Sequence, residues 1–278
     1  MTIAAGLDAA DLERRFGGLR RLYGAAGYAR LRAARVAVVG LGGVGSWTAE
    51  ALARSGVAQL VLIDLDHVGE SNINRQVQAT TATLGQHKGQ ALRERIALIH
   101  PGCAVQVVDD FVTAENWPAL LPLPVDALID ACDQVRAKVA LVAWALRARV
   151  PLVCVGAAGG KREAQRVEVQ DLADATHDPL LASLRSRLRK AAGAPRTGRM
   201  DVRCVFSREA VTPPEASLVS NGAGRAGDTP AGCTIDDTDS TLNCHGYGSS
   251  VCVTATFGMV AAGVAVGLIL SAPEGRTT

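Results

Sequence analysis

The chain has 278 residues, of which 48% are hydrophobic but only 4% aromatic, and its formal net charge is +2. This length suits one large α/β domain with a core of small aliphatic side chains, and the low net charge argues against a general polyanion binder. Seven cysteines occur without any C-x-x-C pair, and the first twelve residues lack the apolar stretch of a secretory leader. We therefore expect free thiols in a reducing cytoplasm and no structural zinc site.

A helical arm is predicted at 1–34, and short Val-rich runs then alternate with amphipathic segments up to residue 160. Strands are predicted at 35–40, 60–64, 104–110, 127–129 and 152–156, and helices at 44–55, 88–99 and 135–149. Such alternation predicts an α/β fold of the doubly wound, Rossmann-like kind, with a mainly parallel sheet. Ligands of such sheets bind at the carboxyl ends of the strands.

The C-terminal part, 161–278, is predicted to extend this core. It contains a further strand at 166–169, a basic helix at 179–192 and a mobile loop at about 212–247. Residues 251–270 form an uncharged run that is long enough to cross a bilayer, although no lysine or arginine directly flanks it. We favour a buried or dimer-interface helix over a membrane span, and a strand-like start at 251–256 is a further alternative.

A glycine-rich turn follows the first predicted strand. Gly40, Gly42 and Gly45 have the spacing G-x-G-x-x-G, and Gly43 lies between them. Glycine lets the turn tighten and lets backbone N–H groups reach a phosphate at the start of the next helix. The motif favours a nucleotide site, and by itself it is more typical of a dinucleotide than of ATP.

Polar residues are unusually dense after the second predicted strand. Asp64 and Asp66 stand at its end, where a ribose-binding acid is expected, and Asn72, Arg75 and Gln76 follow. Arg75 suits bidentate contact with phosphate. A solvated turn with an internal network of amides and carboxylates is the alternative.

Charged residues in two later segments are also suited to a bound triphosphate. Lys88 opens the next helix, from where its ammonium could stabilise charge that develops on a phosphate; a surface lysine is the alternative. Asp130 and Asp133 close the fourth strand, and carboxylate oxygens there could hold Mg²⁺. Asp133 could instead cap the helix that starts near residue 135.

Taken in chain order, these motifs resemble the ubiquitin-activating-like adenylating superfamily. They are G-L-G-G-V-G at 40–45, D-L-D at 64–66, S-N-I-N-R-Q at 71–76, the lysine at 88 and D-A-C-D at 130–133. The resemblance implies that 35–160 is a core that binds ATP with Mg²⁺ and adenylates a carboxylate. By position, Asp64 would bind ribose and Asn72 the triphosphate. Arg75, Lys88 and Asp133 would be the catalytic residues, the first two on the triphosphate and the third supporting Mg²⁺.

Further stretches resemble the dehydratase branch of that superfamily, which acts on threonylcarbamoyladenosine beside the anticodon of tRNA. They are R-F-G-G-L-R-R-L-Y-G at 15–24, D-D-F-V-T at 109–113, G-A-A-G-G at 156–160, V-R-C-V-F-S at 202–207 and V-T-A-T-F-G at 253–258. The branch is implied to adenylate the threonyl carboxylate, after which an internal nucleophile closes a ring with net loss of water. Two alternatives stay open: an activator of a small sulfur-carrier protein and a non-catalytic nucleotide-binding scaffold.

The C-terminal part also bears on partners. A basic run with a single acid, Asp201, predicts contact with tRNA phosphates, and a solvated helix face is the alternative. The run comprises Arg185, Arg187, Arg189, Lys190, Arg196 and Arg199. Cys244, beside His245, is a candidate thiol for exchange with a cysteine-desulfurase or sulfur-acceptor system, and an inert loop thiol is the alternative. We expect the protein to act as a homodimer.

Overall fold

The strands of this chain join in one seven-stranded sheet, and helices connect them. The computed structural model of the protein describes residues 11–191, 193–213 and 247–272. The strands are β1 (Arg35–Val39), β2 (Gln59–Ile63), β3 (Ala104–Val108), β4 (Ala127–Asp130), β5 (Leu152–Val155), β6 (Val167–Asp171) and β7 (Arg203–Ser207). The α-helices of the described residues are α1 (Leu12–Ala33), α2 (Gly45–Arg54), α3 (Lys88–Ile99), α4 (Val135–Ala148), α5 (Pro179–Ala191) and α6 (Val251–Ser271).

The order of the strands creates a crevice at the centre of the sheet. The order is β3-β2-β1-β4-β5-β7-β6, and all neighbours are parallel except β6, which pairs antiparallel with β7. Strands are added on one side of β1 up to β3 and then on the other side from β4 onward. Such a switch point opens a ligand crevice at the carboxyl ends of the two central strands. The predicted doubly wound α/β class is confirmed, and the C-terminal strands β6 and β7 join the same sheet.

Helices bury both faces of the sheet, which explains why its central strands are almost continuously apolar. Val36 and Val38 of β1 pack towards α1, α2, α3 and α6. Ala37 and Val39, with the opposite parity, pack towards α4 and α5. The core is therefore built from small aliphatic side chains, as the composition indicates.

Helix α6 forms much of one helical layer. Val253, Phe257 and Ala265 are buried against α2 and the sheet. At Gly258 the two helices approach so closely that a Cβ would lie 2.6 Å from the carbonyl oxygen of Val44. This close contact makes α6 an integral part of the fold.

The start of α6 settles one alternative left by the sequence. The helix begins at Val251 with Ser250 as its N-cap, so the strand-like start at 251–256 is wrong. By length and composition alone, α6 could cross a membrane. Half of its most apolar stretch is buried inside the structure. Core helices of soluble proteins share these properties, so α6 is weak support for a membrane span.

The residues that flank the segment between 213 and 247 both bond to Gly160. The N–H of Gly160 donates to the carbonyl oxygen of Gly248, and the N–H of Thr212 donates to the carbonyl oxygen of Gly160, both at 2.8 Å. Most of the predicted loop at 212–247, with Cys244, lies outside the described residues. The five cysteines within them are free thiols: Cys103, Cys132, Cys154, Cys204 and Cys252.

Candidate active site

A cavity of about 810 Å³ opens at the carboxyl ends of β1, β2, β4 and β5. Its walls come from the glycine loop at 40–44, the segment after β2, the turn at 131–134 and residues 156–159. Small-molecule sites measure roughly 300–1,000 Å³, so the cavity has the size of one. It lies at the switch point of the sheet, where the fold predicts a ligand.

The glycine loop exposes its backbone to this cavity. Gly40 has a φ of +83°, and a Cβ on it would lie 2.8 Å from the main-chain nitrogen of Cys132. A Cβ on Gly45, the first residue of α2, would overlap the carbonyl oxygen of Gly40. At Gly42 a Cβ would meet no atom within 4 Å, and Gly42 and Gly43 both line the cavity. The N-terminus of α2, with its backbone N–H groups and helix dipole, favours an anion at this place.

The two carboxylates after β2 have different environments. Asp64 accepts hydrogen bonds from the N–H of Leu41 at 2.5 Å and from the N–H of Asp66 at 2.8 Å, so it ties the glycine loop to β2. The Asp66 side chain is 70% exposed, and its Oδ2 lies 2.6 Å from Nζ of Lys88, whose side chain is only 7% exposed. Because water screens the exposed carboxylate, an anion in the cavity can compete with it for the ammonium of Lys88.

The guanidinium of Arg75 lines the cavity without a carboxylate partner among the described residues. Its Nη1 donates to the carbonyl oxygen of Ser71 at 2.6 Å and to Oδ1 of Asn74 at 3.1 Å. Burial lowers the pKa of Arg75 from its usual value. A partly desolvated cation of this kind is stabilised by an incoming anion, and a phosphate matches its fork of donors.

Asn72 and Gln76 support this segment and also face the cavity. Oδ1 of Asn72 accepts from the N–H of Gly69 at 3.0 Å, and Oε1 of Gln76 accepts from the amide of Gln78 at 3.2 Å. The Gln78 amide also donates to the carbonyl oxygen of Leu41, so it connects this segment to the glycine loop. These contacts use the carbonyl ends of Asn72 and Gln76.

The two acids after β4 are in different places, and one prediction is corrected. Asp133 lines the cavity, and burial raises the pKa of its carboxyl, with the charge of Asp66 adding to the rise. It does not cap α4, whose N-cap is Gln134. Asp130 is fully buried and paired with Nζ of Lys138 at 3.1 Å. The prediction that Asp130 holds Mg²⁺ is therefore wrong, because its carboxylate faces the core and is already neutralised.

The cavity is completed by residues that the sequence did not single out. Tyr247 and Ser249 contribute from the segment before α6, and Thr254 contributes from the first turn of that helix. The hydroxyl of Thr254 donates to the carbonyl oxygen of Arg75 at 3.4 Å, and Nε1 of Trp47 donates to the same oxygen at 3.0 Å. The stretch V-T-A-T-F-G at 253–258 was a signal for this region, but no local spacing connects it with Arg75.

The basic run lies away from the cavity. The start of α5 reaches the cavity at Leu180, but Lys190 lies about 15 Å further along the helix. Arg199 precedes β7 and is exposed beside Asp201, at the edge of the sheet opposite the cavity. Arg196 and Lys190 are exposed as well. This surface can contact only parts of a ligand that extend well beyond the cavity.

Three members of the run make local contacts. Nη1 of Arg185 donates to the carbonyl oxygens of Leu172 and Ala175 at 3.0 and 2.7 Å. Arg189 donates to the carbonyl oxygen of Pro195 at 3.2 Å, and Arg187 has a protein partner too. Arg185 therefore braces α5 against the segment after β6, a structural role that the sequence did not indicate.

Together, the fold and the cavity define a nucleotide-binding protein of the doubly wound class. Residues 15–277 match the ThiF family. The chain is 39% identical to tRNA threonylcarbamoyladenosine dehydratase of Haemophilus influenzae over 94% of both chains. It is 42% identical to the Escherichia coli dehydratase over 89% of this chain and 90% of the relative. A crystal structure of E. coli tRNA N6-threonylcarbamoyladenosine dehydratase, TcdA, in complex with ATP matches with a TM-score of 0.80 and 39% identity, over 94% of this chain and 96% of that one.

The chain therefore belongs to the ThiF family and, within it, to the tRNA threonylcarbamoyladenosine dehydratases.

Proposed function

We propose that this protein uses ATP to dehydrate threonylcarbamoyladenosine in tRNA, closing a ring on the threonyl side chain. The observation that carries the proposal is that the half-buried guanidinium of Arg75 and the open backbone of Gly42 line the same cavity, at the switch point of the sheet. This arrangement suits a polyphosphate. Relatives that align with nine tenths of the chain or more bear the name of this activity.

The reaction is chemically balanced without an enzyme nucleophile. An oxygen of the threonyl carboxylate attacks the α-phosphorus of ATP, and pyrophosphate leaves. A nucleophile within the same side chain then attacks the acyl carbon and gives up its proton to solvent, while AMP leaves with the bridging oxygen. The net loss from the substrate is one water. Ring closure within one side chain has a high effective molarity. Lys88 and Arg75 are placed to stabilise the charge that develops on the phosphates.

Mg²⁺ fits the donors of this cavity as a partner of ATP. Within residues 11–191, 193–213 and 247–272, no group of three or more His, Cys, Asp or Glu side chains could hold a metal ion. Mg²⁺ is commonly held by one or two carboxylates together with phosphates and water. Asp133 supplies such a carboxylate, and a nearby cation would oppose the burial that raises its pKa.

The decisive experiment incubates the protein with ATP, Mg²⁺ and tRNA that carries threonylcarbamoyladenosine. We expect a nucleoside that is lighter by one water, together with equal amounts of AMP and pyrophosphate, and no change without ATP. An unchanged nucleoside would refute the function. Formation of ADP with a dehydrated nucleoside would keep the function and refute adenylation.

The role of Lys88 can be tested against a matched residue of the same helix. Lys88→Ala should lower turnover about 100-fold, because a preorganised cation on the phosphates is lost. Arg93→Ala, exposed on α3, should keep the parent rate. Circular dichroism of both variants should match the parent protein. Equal rates in the two variants would show that Lys88 does not contribute to catalysis.

We also propose that the protein is a homodimer that pairs through the exposed side of α6. Cys252, Met259, Gly263 and Gly267 lie on that side, and Met259 is 44% exposed. An uncharged stripe along a 21-residue helix is unfavourable in water, and small residues four apart allow a second helix to approach. Light scattering should give twice the chain mass for the parent and for Ala97→Arg, and a single mass for Met259→Arg. A monomeric parent protein would contradict the proposal.

A cytoplasmic location is proposed as well, on the ground that the five described cysteines are free. Fractionation of cells that express the tagged protein tests this, and recovery in the membrane fraction would support the alternative role of α6. The sulfur-transfer partner stays a prediction, since Cys244 lies outside the described residues. Co-purification of a desulfurase with the parent, but not with Cys244→Ala, is the result that would support it.

A further inference from the structure

A buried ion pair lies directly behind the candidate active site. Lys138 of α4 and Asp130 of β4 are both fully buried, with Nζ 3.1 Å from Oδ1. Burial alone would lower the pKa of Lys138, but the carboxylate of Asp130 raises it above its usual value, so the lysine is charged. Replacing such a pair with apolar side chains is often neutral or stabilising. Stability alone therefore does not explain why it is there.

The ammonium of Lys138 joins the ends of two neighbouring strands. Besides Asp130 it donates to the carbonyl oxygen of Val155 at 2.7 Å. Val155 is the last residue of β5 and immediately precedes the cavity wall at 156–159. Asp130 is the last residue of β4 and immediately precedes the turn that carries Asp133. Lys138 thus fixes the spacing between two walls of the cavity, while its own side chain stays outside it.

The carboxylate of Asp130 extends this connection to a third wall. Its Oδ1 accepts from the N–H of Cys132 at 3.3 Å and from the thiol of the same residue at 3.0 Å. The main chain of Cys132 packs on Gly40 so closely that a Cβ on Gly40 would lie 2.8 Å from its nitrogen. One buried ion pair therefore contacts, directly or through Cys132, three walls of the cavity. These walls are the glycine loop, the turn with Asp133 and the segment 156–159.

We propose that Lys138 is a positioning residue, which holds Asp133 and the wall at 156–159 at the spacing that adenylation requires. The proposal rests on the proposed function, because it assigns Asp133 to the Mg²⁺ that would accompany the bound ATP. Reactions of positioned groups are sensitive to small displacements, and a shift of about 1 Å can lower a rate about 100-fold.

The test removes the pair without leaving a buried charge. Lys138→Met alone strands the carboxylate of Asp130 and can prevent folding, so the informative protein is the double variant Asp130→Asn, Lys138→Met. It keeps the size of both side chains but loses the bonds from Nζ. We expect it to fold, to bind ATP with a Kd within about threefold of the parent, and to lose at least tenfold in kcat while KM for tRNA changes little.

Lys161 provides the matched control. It is also a buried lysine, and its Nζ donates to the carbonyl oxygens of Glu209 and Ser207 at 2.6 and 3.2 Å, outside the cavity lining. Lys161→Met should lower the melting temperature but keep kcat of the folded protein within about twofold, since Nζ bonds only the carbonyl oxygens of His177, Ser207 and Glu209, which lie outside the cavity lining.

The outcomes separate this proposal from the proposed function. A double variant with the parent kcat shows that the pair is only structural. A loss of kcat that Lys161→Met shares, or that a parallel loss of ATP affinity accompanies, also overturns the positioning role. If the parent protein itself does not dehydrate the nucleoside, the proposed function fails. The positioning role fails in a different way, when the parent protein is active and the double variant has the same kcat.

Discussion

At the scale of single residues, the glycine loop contains glycines that are needed for different reasons. Gly45 has no room for a Cβ, because the carbonyl oxygen of Gly40 occupies that position. Gly42 has room, but the room is the cavity itself. The same residue type thus serves the fold at one position and the ligand at the other.

This difference predicts opposite effects of the same substitution. Gly45→Ala should destabilise the protein by roughly 2 kcal/mol or more, because overlapping atoms must move apart. Gly42→Ala should melt like the parent protein but bind ATP at least tenfold more weakly, since its methyl group displaces a phosphate from the backbone N–H groups. Thermal melting and ATP titration of both variants measure this. Normal ATP affinity in Gly42→Ala would place the phosphates elsewhere.

Asp130 and Asp133 show what the sequence could and could not reveal about the site. Both acids follow the same strand, and a motif alone treats them alike. A signal did exist, because Lys138 stands among Ala137, Leu141 and Val142 on the buried side of α4. A lysine on an apolar face requires a buried partner, and Asp130 is the acid at the adjacent strand end. The residues whose contacts lie within one segment were easier to place than those that meet across the fold.

At the scale of elements, α1 is joined to the end of α3 through His100. The imidazole is fully buried, packs on the ring of Phe16 at 4.7 Å, and its Nε2 lies 2.7 Å from Nη1 of Arg32. Burial, with Arg32 and Arg15 adding to it, lowers the pKa of His100 to about 4. The neutral form is therefore the one that the packing of α1 requires.

A pH dependence of stability follows from this pKa. The unfolded chain binds a proton at His100 below about pH 6.5, whereas the folded protein does so only near pH 4, so the contribution is complete above 6.5 and falls as the pH drops between these values. For this group we expect a loss of about 2 kcal/mol between pH 7 and pH 5. Urea unfolding at both pH values should show a smaller difference in His100→Gln than in the parent protein. Equal differences would mean that His100 titrates normally.

Local pattern predicted most elements, while their arrangement needed the structure. The spacing of apolar residues along a strand or an amphipathic helix depends on whether one or both of its sides are buried. This spacing can be read directly from the sequence. The antiparallel pairing of β6 with β7 and the packing of α6 on α2 depend on contacts between distant segments. For α6, composition left three interpretations open, and the burial of Val253 and Phe257 together with the close contact at Gly258 shows that it belongs to the core.

At the scale of the whole molecule, the basic run extends from α5, whose first turn reaches the cavity, to Arg199, at the opposite ends of the strands. A single nucleoside in the cavity cannot reach Arg196 or Arg199, but a folded RNA extends far enough. These arginines should therefore contribute to tRNA affinity and not to the chemical step.

Removal of this charge should change how salt affects binding. The double variant Arg196→Ala, Arg199→Ala should bind tRNA more weakly and reduce the slope of log K against log salt by about 1.5, for two lost phosphate contacts. Its kcat at saturating tRNA should equal that of the parent protein. Filter binding at several salt concentrations measures the slope, and Arg93→Ala serves as a control from another surface. An unchanged slope would support the alternative interpretation, in which the basic residues form a solvated helix face without contact to tRNA.

The meeting of residues 212 and 248 at Gly160 has a consequence for engineering. Since both ends of the intervening segment are fixed to one residue, the distance between those ends does not depend on the length of the segment. A domain inserted there would leave the strand register untouched. It would also stand at the rim of the cavity, where Tyr247 and Ser249 lie, so an RNA-binding module grafted at this point would raise the local concentration of tRNA at the active site.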